Sequence, residues 1–236
     1  MKKILLSTMA LALSSTFAMA DTVRLGTEGA YEPWNFINDA GEIDGFEREV
    51  GDELCTRAEL TCEWVTNDWD TIIPNLVSGN YDVIIAGMSI TAERDEVIDF
   101  TQNYAQADPS NYLATSADVD VENAVIAAQS NTIHAGFIAE QGWTLVEFPT
   151  AEDTVAAVRS GEADAALADS SFLATFAEED GLLLLERSEI LGGGVGLGVR
   201  ESDGELKEKL NAAIQSMKDD GSLNELIVKW EVAEPF

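Results

Sequence analysis

The amino-acid sequence predicts an α/β protein of two lobes, and three observations carry that expectation. From residue 23 onward, short β-branched or apolar runs alternate with runs of helical periodicity, the pattern of strands joined through helices into parallel sheets. The alternation occurs in two successive blocks, 21–104 and 105–195, each long enough for a small sheet of its own. A last segment, 196–236, opens on glycine-rich strand-like sequence and closes on helical periodicity. The simplest topology joins 21–104 and 196–236 as the first lobe and inserts 105–195 as the second. Two crossings of the chain, near Tyr104 and near Gly196, would then form a two-segment hinge beside a cleft.

A leader precedes the first lobe. Met1-Lys2-Lys3, an apolar run from Ile4 to Leu13, and Ala18-Met19-Ala20 before Asp21 supply the basic tip, apolar core and A-x-A site of a secretory signal peptide. The run is shorter than the roughly 20 apolar residues that span a bilayer. The expectation is a signal peptide over 1–20, cleaved after Ala20, and a soluble exported chain without a lipid anchor.

In the first block Val23–Thr27 reads as a strand, and Phe46, Val50, Leu54 and Ala58 recur every fourth residue as the buried stripe of a helix. Glu63-Trp64-Val65 is a short strand. Ile72, Ile73, Leu76 and Val77 predict a helix over 70–78 that Gly79 stops. A buried strand at 81–86 and a helix at 91–98 complete the block. The second block offers strands at 124–128, 145–148, 163–168 and 182–185, with helices over 132–139 and 171–178. Thr150 with Asp153 caps a third helix that Ser160-Gly161 ends. The stretch 192–199 is not a Walker loop, because Arg200 and Glu201 stand where Lys and Ser/Thr are required. Alternation of Val195, Leu197 and Val199 predicts a strand pressed closely by other backbone. Ser202 with Glu205 reads as a capping box for a long helix through Met217, and 222–230 is a final helix.

With 44 acidic against 13 basic side chains and a net charge of −31, the chain would be repelled by nucleic acid and by anionic membranes. Disorder is excluded, because 46% of the residues are hydrophobic and periodic. No D-x-[DN]-x-[DN]-G calcium loop occurs, and two cysteines with one histidine make no zinc set. Cys55 and Cys62, seven apart in an exported chain, predict a local disulfide between a helix end and the next strand. A monomer with no metal and no cofactor is expected.

Several segments together resemble the polar amino-acid family of periplasmic binding proteins, which includes the lysine/arginine/ornithine-, histidine-, cystine- and octopine-binding types. They are Gly26-Thr27-Glu28-Gly29-Ala30-Tyr31-Glu32-Pro33-Trp34-Asn35-Phe36, Gly45-Phe46-Glu47-Arg48-Glu49-Val50, Asn67-Asp68-Trp69-Asp70, Ala86-Gly87-Met88-Ser89-Ile90-Thr91 with Glu93-Arg94, and Ala168-Asp169-Ser170. Each is weak alone; their order and spacing across the whole mature chain are specific. The resemblance implies a type II periplasmic binding protein fold and capture of a free amino acid or opine for an ABC-type permease in the inner membrane.

By that resemblance Arg94 grips the ligand carboxylate, a task suited to a guanidinium that makes two parallel bonds. Asp169, at a strand end where open α/β sheets place ligands, accepts from the α-ammonium. The segment Gly87, Met88 and Ser89 adds backbone and hydroxyl contacts, Tyr31 and Trp69 flank the side chain, and Glu28 stands near its distal end. Charge-assisted bonds worth about 1.5–3 kcal/mol each, less desolvation and ordering, point to micromolar affinity, roughly −8 kcal/mol. Other readings remain open from the residues themselves: Arg94 paired at the surface with Glu93 or Asp95, Asp169 as a helix cap, Trp69 as core, Glu28 as a solvated loop acid.

The sequence departs from the family pattern in the loop that usually reads Gly-Thr-Thr and here reads Asn131-Thr132-Ile133, followed by His134. Thr132 and the helix N-terminus can still meet a carboxylate, while a hydroxyl is lost at Ile133. His134 reads as a surface histidine or as a ligand contact, and Arg48 stands where an apolar residue is usual. The competing function is an enzyme on the same scaffold, a cyclohexadienyl or arogenate dehydratase, with Glu28 as its acid.

Overall fold

A computed structural model describes residues 22–177 and 181–236. The expected signal peptide, residues 1–20, and Glu178 at the end of the helix expected over 171–178 lie outside the described residues. In chain order the elements are β1 (Val23–Thr27), β2 (Ala30–Tyr31), β3 (Asn35–Ile37), β4 (Ile43–Asp44), α1 (Phe46–Arg57), β5 (Cys62–Thr66), α2 (Ile72–Val77), β6 (Val83–Ile84), α3 (Ala92–Asp95) and β7 (Asp99–Ala105). Then follow β8 (Ser110–Ala114), β9 (Val125–Gln129), α4 (Ile133–Gln141), β10 (Thr144–Phe148), α5 (Ala151–Ser160), β11 (Ala165–Asp169), α6 (Ser170–Ala174) and β12 (Leu183–Glu189). The chain ends with β13 (Val195–Val199), α7 (Gly204–Asp220) and α8 (Ser222–Trp230).

Two five-stranded sheets form the two lobes, ordered β5-β1-β6-β13-β7 and β10-β9-β11-β8-β12, beside a small β2-β3-β4 sheet. The main sheets share one plan. Three parallel strands, β5-β1-β6 or β10-β9-β11, are followed by one that runs against them, β13 or β8, and by a last strand, β7 or β12, antiparallel to that one. The expected purely parallel sheets are thus mixed. Parallel neighbours need a crossover such as a helix, whereas a strand returning from the other lobe can pair antiparallel without one. The polypeptide leaves the first sheet after β7 and returns at β13.

Apolar periodicity explains the packing. Phe46, Val50 and Leu54 of α1 are buried, as are Leu210, Ile214 and Met217 of α7. The Cys55–Cys62 disulfide ties the end of α1 to the start of β5, as the spacing predicts. Thr150 caps α5, accepting from the Asp153 N–H at 3.2 Å. At α7 the expected capping box does not form. Asp203 occupies the N-cap without a side-chain cap bond, and the Ser202 hydroxyl instead donates to Asp203 Oδ1 at 2.8 Å. The glycines of β13 are pressed by side chains more than by backbone, for a Cβ on Gly196 would stand 2.9 Å from Ile90 Cδ1. Arg48 acquires a structural role: it donates to Asp52 and to the Ile43 carbonyl, and its guanidinium lies 5.6 Å from the Trp64 ring centroid.

Candidate ligand-binding site

The carboxyl ends of β1 and β6 in one sheet face those of β9 and β11 in the other across a cavity of about 30 Å³. Glu28, Tyr31, Trp69, Gly87, Ser89 and Arg94 line it from one side, Thr132 and Asp169 from the other. The lobes are closed on each other: Trp34 Nε1 donates to Ser171 Oγ at 2.8 Å, and Gln129 Nε2 to Glu28 Oε1 at 2.6 Å.

Arg94 sits on the single turn α3, whose cap Thr91 accepts from the Arg94 N–H. Among the described residues its side chain makes no ion pair with Glu93 or Asp95. Nη1 donates to the Ser89 carbonyl at 2.9 Å and Nη2 to the Asn131 carbonyl at 3.2 Å. The guanidinium also lies 5.3 Å from the Trp69 ring centroid, within cation–π range. Burial pushes its pKa down to about 10, an effect opposed by the negative charges of Glu93 and Asp169. A half-desolvated guanidinium in a cavity is primed for a carboxylate.

Asp169 ends β11. Its Oδ2 accepts from the Tyr31 hydroxyl at 2.9 Å, and that hydroxyl accepts from the Asp169 N–H at 3.2 Å. Although Asp169 holds the N-cap position of α6, its carboxylate makes no cap bond. Asp108 does that work, with Oδ2 accepting from the Ser171 N–H at 2.9 Å. Burial and the charge of Asp169 push the Asp108 carboxyl up to about 7. The division of labour leaves Asp169 facing the cavity.

Tyr31 stacks one ring face on Phe172, with centroids 4.4 Å apart and planes 4° from parallel. Gly87 has φ +61, a left-handed conformation that a side chain would strain, and its N–H donates to Glu47 Oε1 at 2.6 Å. Thr132 caps α4, accepting from the Ala135 N–H and donating to the Gln129 carbonyl at 2.6 Å. Its hydroxyl is committed to the helix end, so what α4 offers an anion is its first-turn N–H groups.

Two expectations are corrected. Met88 does not reach the cavity: it is fully buried in the cluster of Trp69, Ile72, Leu76 and Ile84, because the chain turns at the left-handed Gly87 and sends the Met88 side chain into the first lobe's core, while Gly87 and Ser89 line the cleft. His134 is not a surface histidine. It is 6% exposed and lines the cavity, with Nε2 3.0 Å from Ser110 Oγ and 3.4 Å from Asp169 Oδ1.

Glu28 accepts from Gln129, and its carboxyl is pushed up to about 7, chiefly by burial and further by Asp68, Asp70 and Glu152. Sequence reasoning missed Gln129, Asp108 and Glu47. Glu47 is fully buried and accepts from Asn35 Nδ2, the Gly87 N–H and the Tyr104 hydroxyl. A signal existed, since Glu47, Val50 and Leu54 share one helical face. Gln129 was findable as a strand-end residue; Asp108 carries no local signal. Among the described residues no group of three or more His, Cys, Asp or Glu could hold a metal ion.

A guanidinium and a carboxylate thus converge on one cavity from two α/β lobes. Residues 23–233 match the family of bacterial extracellular solute-binding proteins, family 3. The chain belongs to that family. A periplasmic His/Glu/Gln/Arg/opine family-binding protein from Silicibacter pomeroyi, solved in complex with lysine, is 65% identical over 91% of this chain and 100% of its own, with a TM-score of 0.88. The L-arginine-binding protein of Pseudomonas aeruginosa is 30% identical, covering 98% of this chain and 96% of its own length. The histidine-binding periplasmic protein of Escherichia coli is also 30% identical, with 98% and 97% covered. Family membership accounts for the two-lobed type II fold and for a cleft built from strand ends.

Proposed function

We propose that the protein captures a free amino acid in the periplasm, favouring a cationic side chain, and delivers it as a monomer to an ABC-type uptake permease. One observation carries this reading: Arg94 and Asp169 reach the same cavity from opposite lobes. A zwitterion must surrender water from both charged ends, at a cost of several kcal/mol unless each is paired. A ligand bridging the lobes favours closure by the free energy it gains only in the closed form.

In this reading Arg94, Ser89 and the first turn of α4 at Thr132 take the carboxylate, while Asp169 and the Gly87 carbonyl take the ammonium. Tyr31 and Trp69 flank the side chain and Glu28 meets its distal end. A 65% identical relative crystallised with lysine supports a cationic ligand. Residues 1–20 serve as the signal peptide. The lobes are 21–104 with 196–236, and 105–195, hinged at the two strand-to-strand crossings.

Thermal-shift screening with the twenty amino acids and opines tests the proposal, because a ligand of the folded state raises the midpoint by mass action. Arginine or lysine should give the largest shift. A protein that responds to none of them is not an amino-acid binder. One observation favours a second reading, an enzyme on this scaffold: a carboxyl at Glu28 held near 7 inside a cavity is suited to general-acid work. Consumption of prephenate or arogenate by the purified protein would establish it; inertness towards both leaves capture without chemistry.

A further inference from the structure

Asn131 makes three bonds across the cleft, in the loop between β9 and α4. Its φ is +57, a left-handed conformation that asparagine tolerates better than most residues. The carbonyl accepts from both Arg94 Nη2 and Trp69 Nε1, at 3.2 and 3.3 Å. Its side-chain amide donates to Asp70 Oδ1 at 2.9 Å. Two of the three partners, Arg94 and Trp69, are residues assigned above to the ligand.

The two kinds of bond differ in what they require of the residue. A glycine here would adopt the same backbone and keep the carbonyl bonds. Only the asparagine amide reaches Asp70. That bond joins residues of opposite lobes, so it exists only when they are closed.

We propose that Asn131 is a positioning residue for capture: its amide latches lobe two onto Asp70 and slows ligand release, while its carbonyl holds Arg94 in the carboxylate site and Trp69 beside the ligand side chain. The inference rests on the binding function proposed above. An interaction formed after docking acts on dissociation and leaves association unchanged. One net hydrogen bond between accessible groups corresponds to about a three- to tenfold change.

The test is a double-mutant cycle with Asn131→Gly, Asp70→Ala and the double variant, using L-arginine and L-lysine in stopped-flow fluorescence. Each single variant should speed dissociation about three- to tenfold; Asn131→Gly should leave the association rate unchanged, whereas Asp70→Ala, which also removes an acid from around Glu28, should slow association of these cationic ligands. The double variant should match the singles in dissociation, because they break the same bond. Additive effects on dissociation, slowed association in Asn131→Gly or unaltered dissociation would each overturn the latch.

If neither ligand binds the wild-type protein, the capture reading fails instead, and the latch is judged without ligand. Spin labels at Val97→Cys and Glu140→Cys, exposed positions on opposite walls of the outer cleft, report the interlobe distance. Asn131→Gly should broaden that distribution towards longer distances. Identical distributions in the presence and absence of the substitution would overturn the proposal.

Discussion

A guanidinium drawn out of water must recover its hydrogen bonds, and Arg94 recovers two from the carbonyls of Ser89 and Asn131. With five N–H donors, it keeps capacity for a carboxylate. Arg94→Ala should therefore abolish the thermal shift of every amino-acid ligand, and Arg94→Lys should weaken binding strongly because a point charge cannot reproduce the fork. A retained shift in Arg94→Ala would remove the carboxylate role. Glu28 makes a different prediction. Its carboxyl is held near 7 without ligand, so below that pH it is neutral and must release a proton to meet a cationic side chain. Affinity for arginine should fall as pH drops below about 7, by up to tenfold per unit for one linked proton. Glu28→Gln should flatten that slope, as isothermal titration between pH 5.5 and 8 would measure. That Arg94, Asp169, Tyr31 and Trp69 would line one cavity was legible in the order and spacing of their segments along the chain. The side to which Met88 turns and the burial of His134 were not, because both depend on where an extended segment ends and a turn begins.

At the scale of elements, α6 shows how a short helix serves a site. Its first-turn N–H groups need an acceptor. The residue at the N-cap, Asp169, is turned to the cleft, so the acceptor comes from Asp108 in the crossing between β7 and β8. Asp108→Ala should cost about 1 kcal/mol of stability, the usual worth of a cap. It should weaken ligand binding by more than that, because the Asp169 carboxylate becomes the nearest substitute acceptor for the freed N–H. Equal losses in melting and affinity would reduce Asp108 to a plain structural cap, whereas Asp108→Asn, which retains an acceptor oxygen, should rescue both. Elements with strong apolar periodicity, α1, α5, α7 and α8, were legible from the amino-acid sequence. β7 and β8 were not: Asp99–Ala105 buries Phe100, Thr101 and Tyr104 without regular alternation, since it is shaped by two lobes rather than one face. The helices expected over 70–78 and 91–98 shrink to α2 and the single turn α3. Trp69–Thr71 forms a tight 3-10 turn and Thr91 remains outside α3 as its cap.

For the whole molecule the decisive quantity is the excess of acids, 44 against 13 bases. Cations such as Arg24, Arg57, Arg200 and Lys207 already have carboxylate partners, so the surplus negative charges repel one another across the surface. Closure adds to the strain, because Glu152 of the second sheet's layer comes to act on Glu28 beside Asp68 and Asp70. Screening relieves repulsion between exposed charges: the Debye length falls from about 30 Å at 0.01 M salt to about 8 Å at 0.15 M. The ligand-free melting midpoint should therefore rise between these two salt concentrations. Affinity for a cationic amino acid should move the other way, since the same salt screens the attraction between its side chain and the acids around Glu28. A neutral amino acid, if bound, should lack that loss. Melting curves and isothermal titrations across the salt series separate the terms: a midpoint that falls with salt would mean that the ion pairs outweigh the acidic surplus, and a salt-independent arginine affinity would detach the acids around Glu28 from ligand choice.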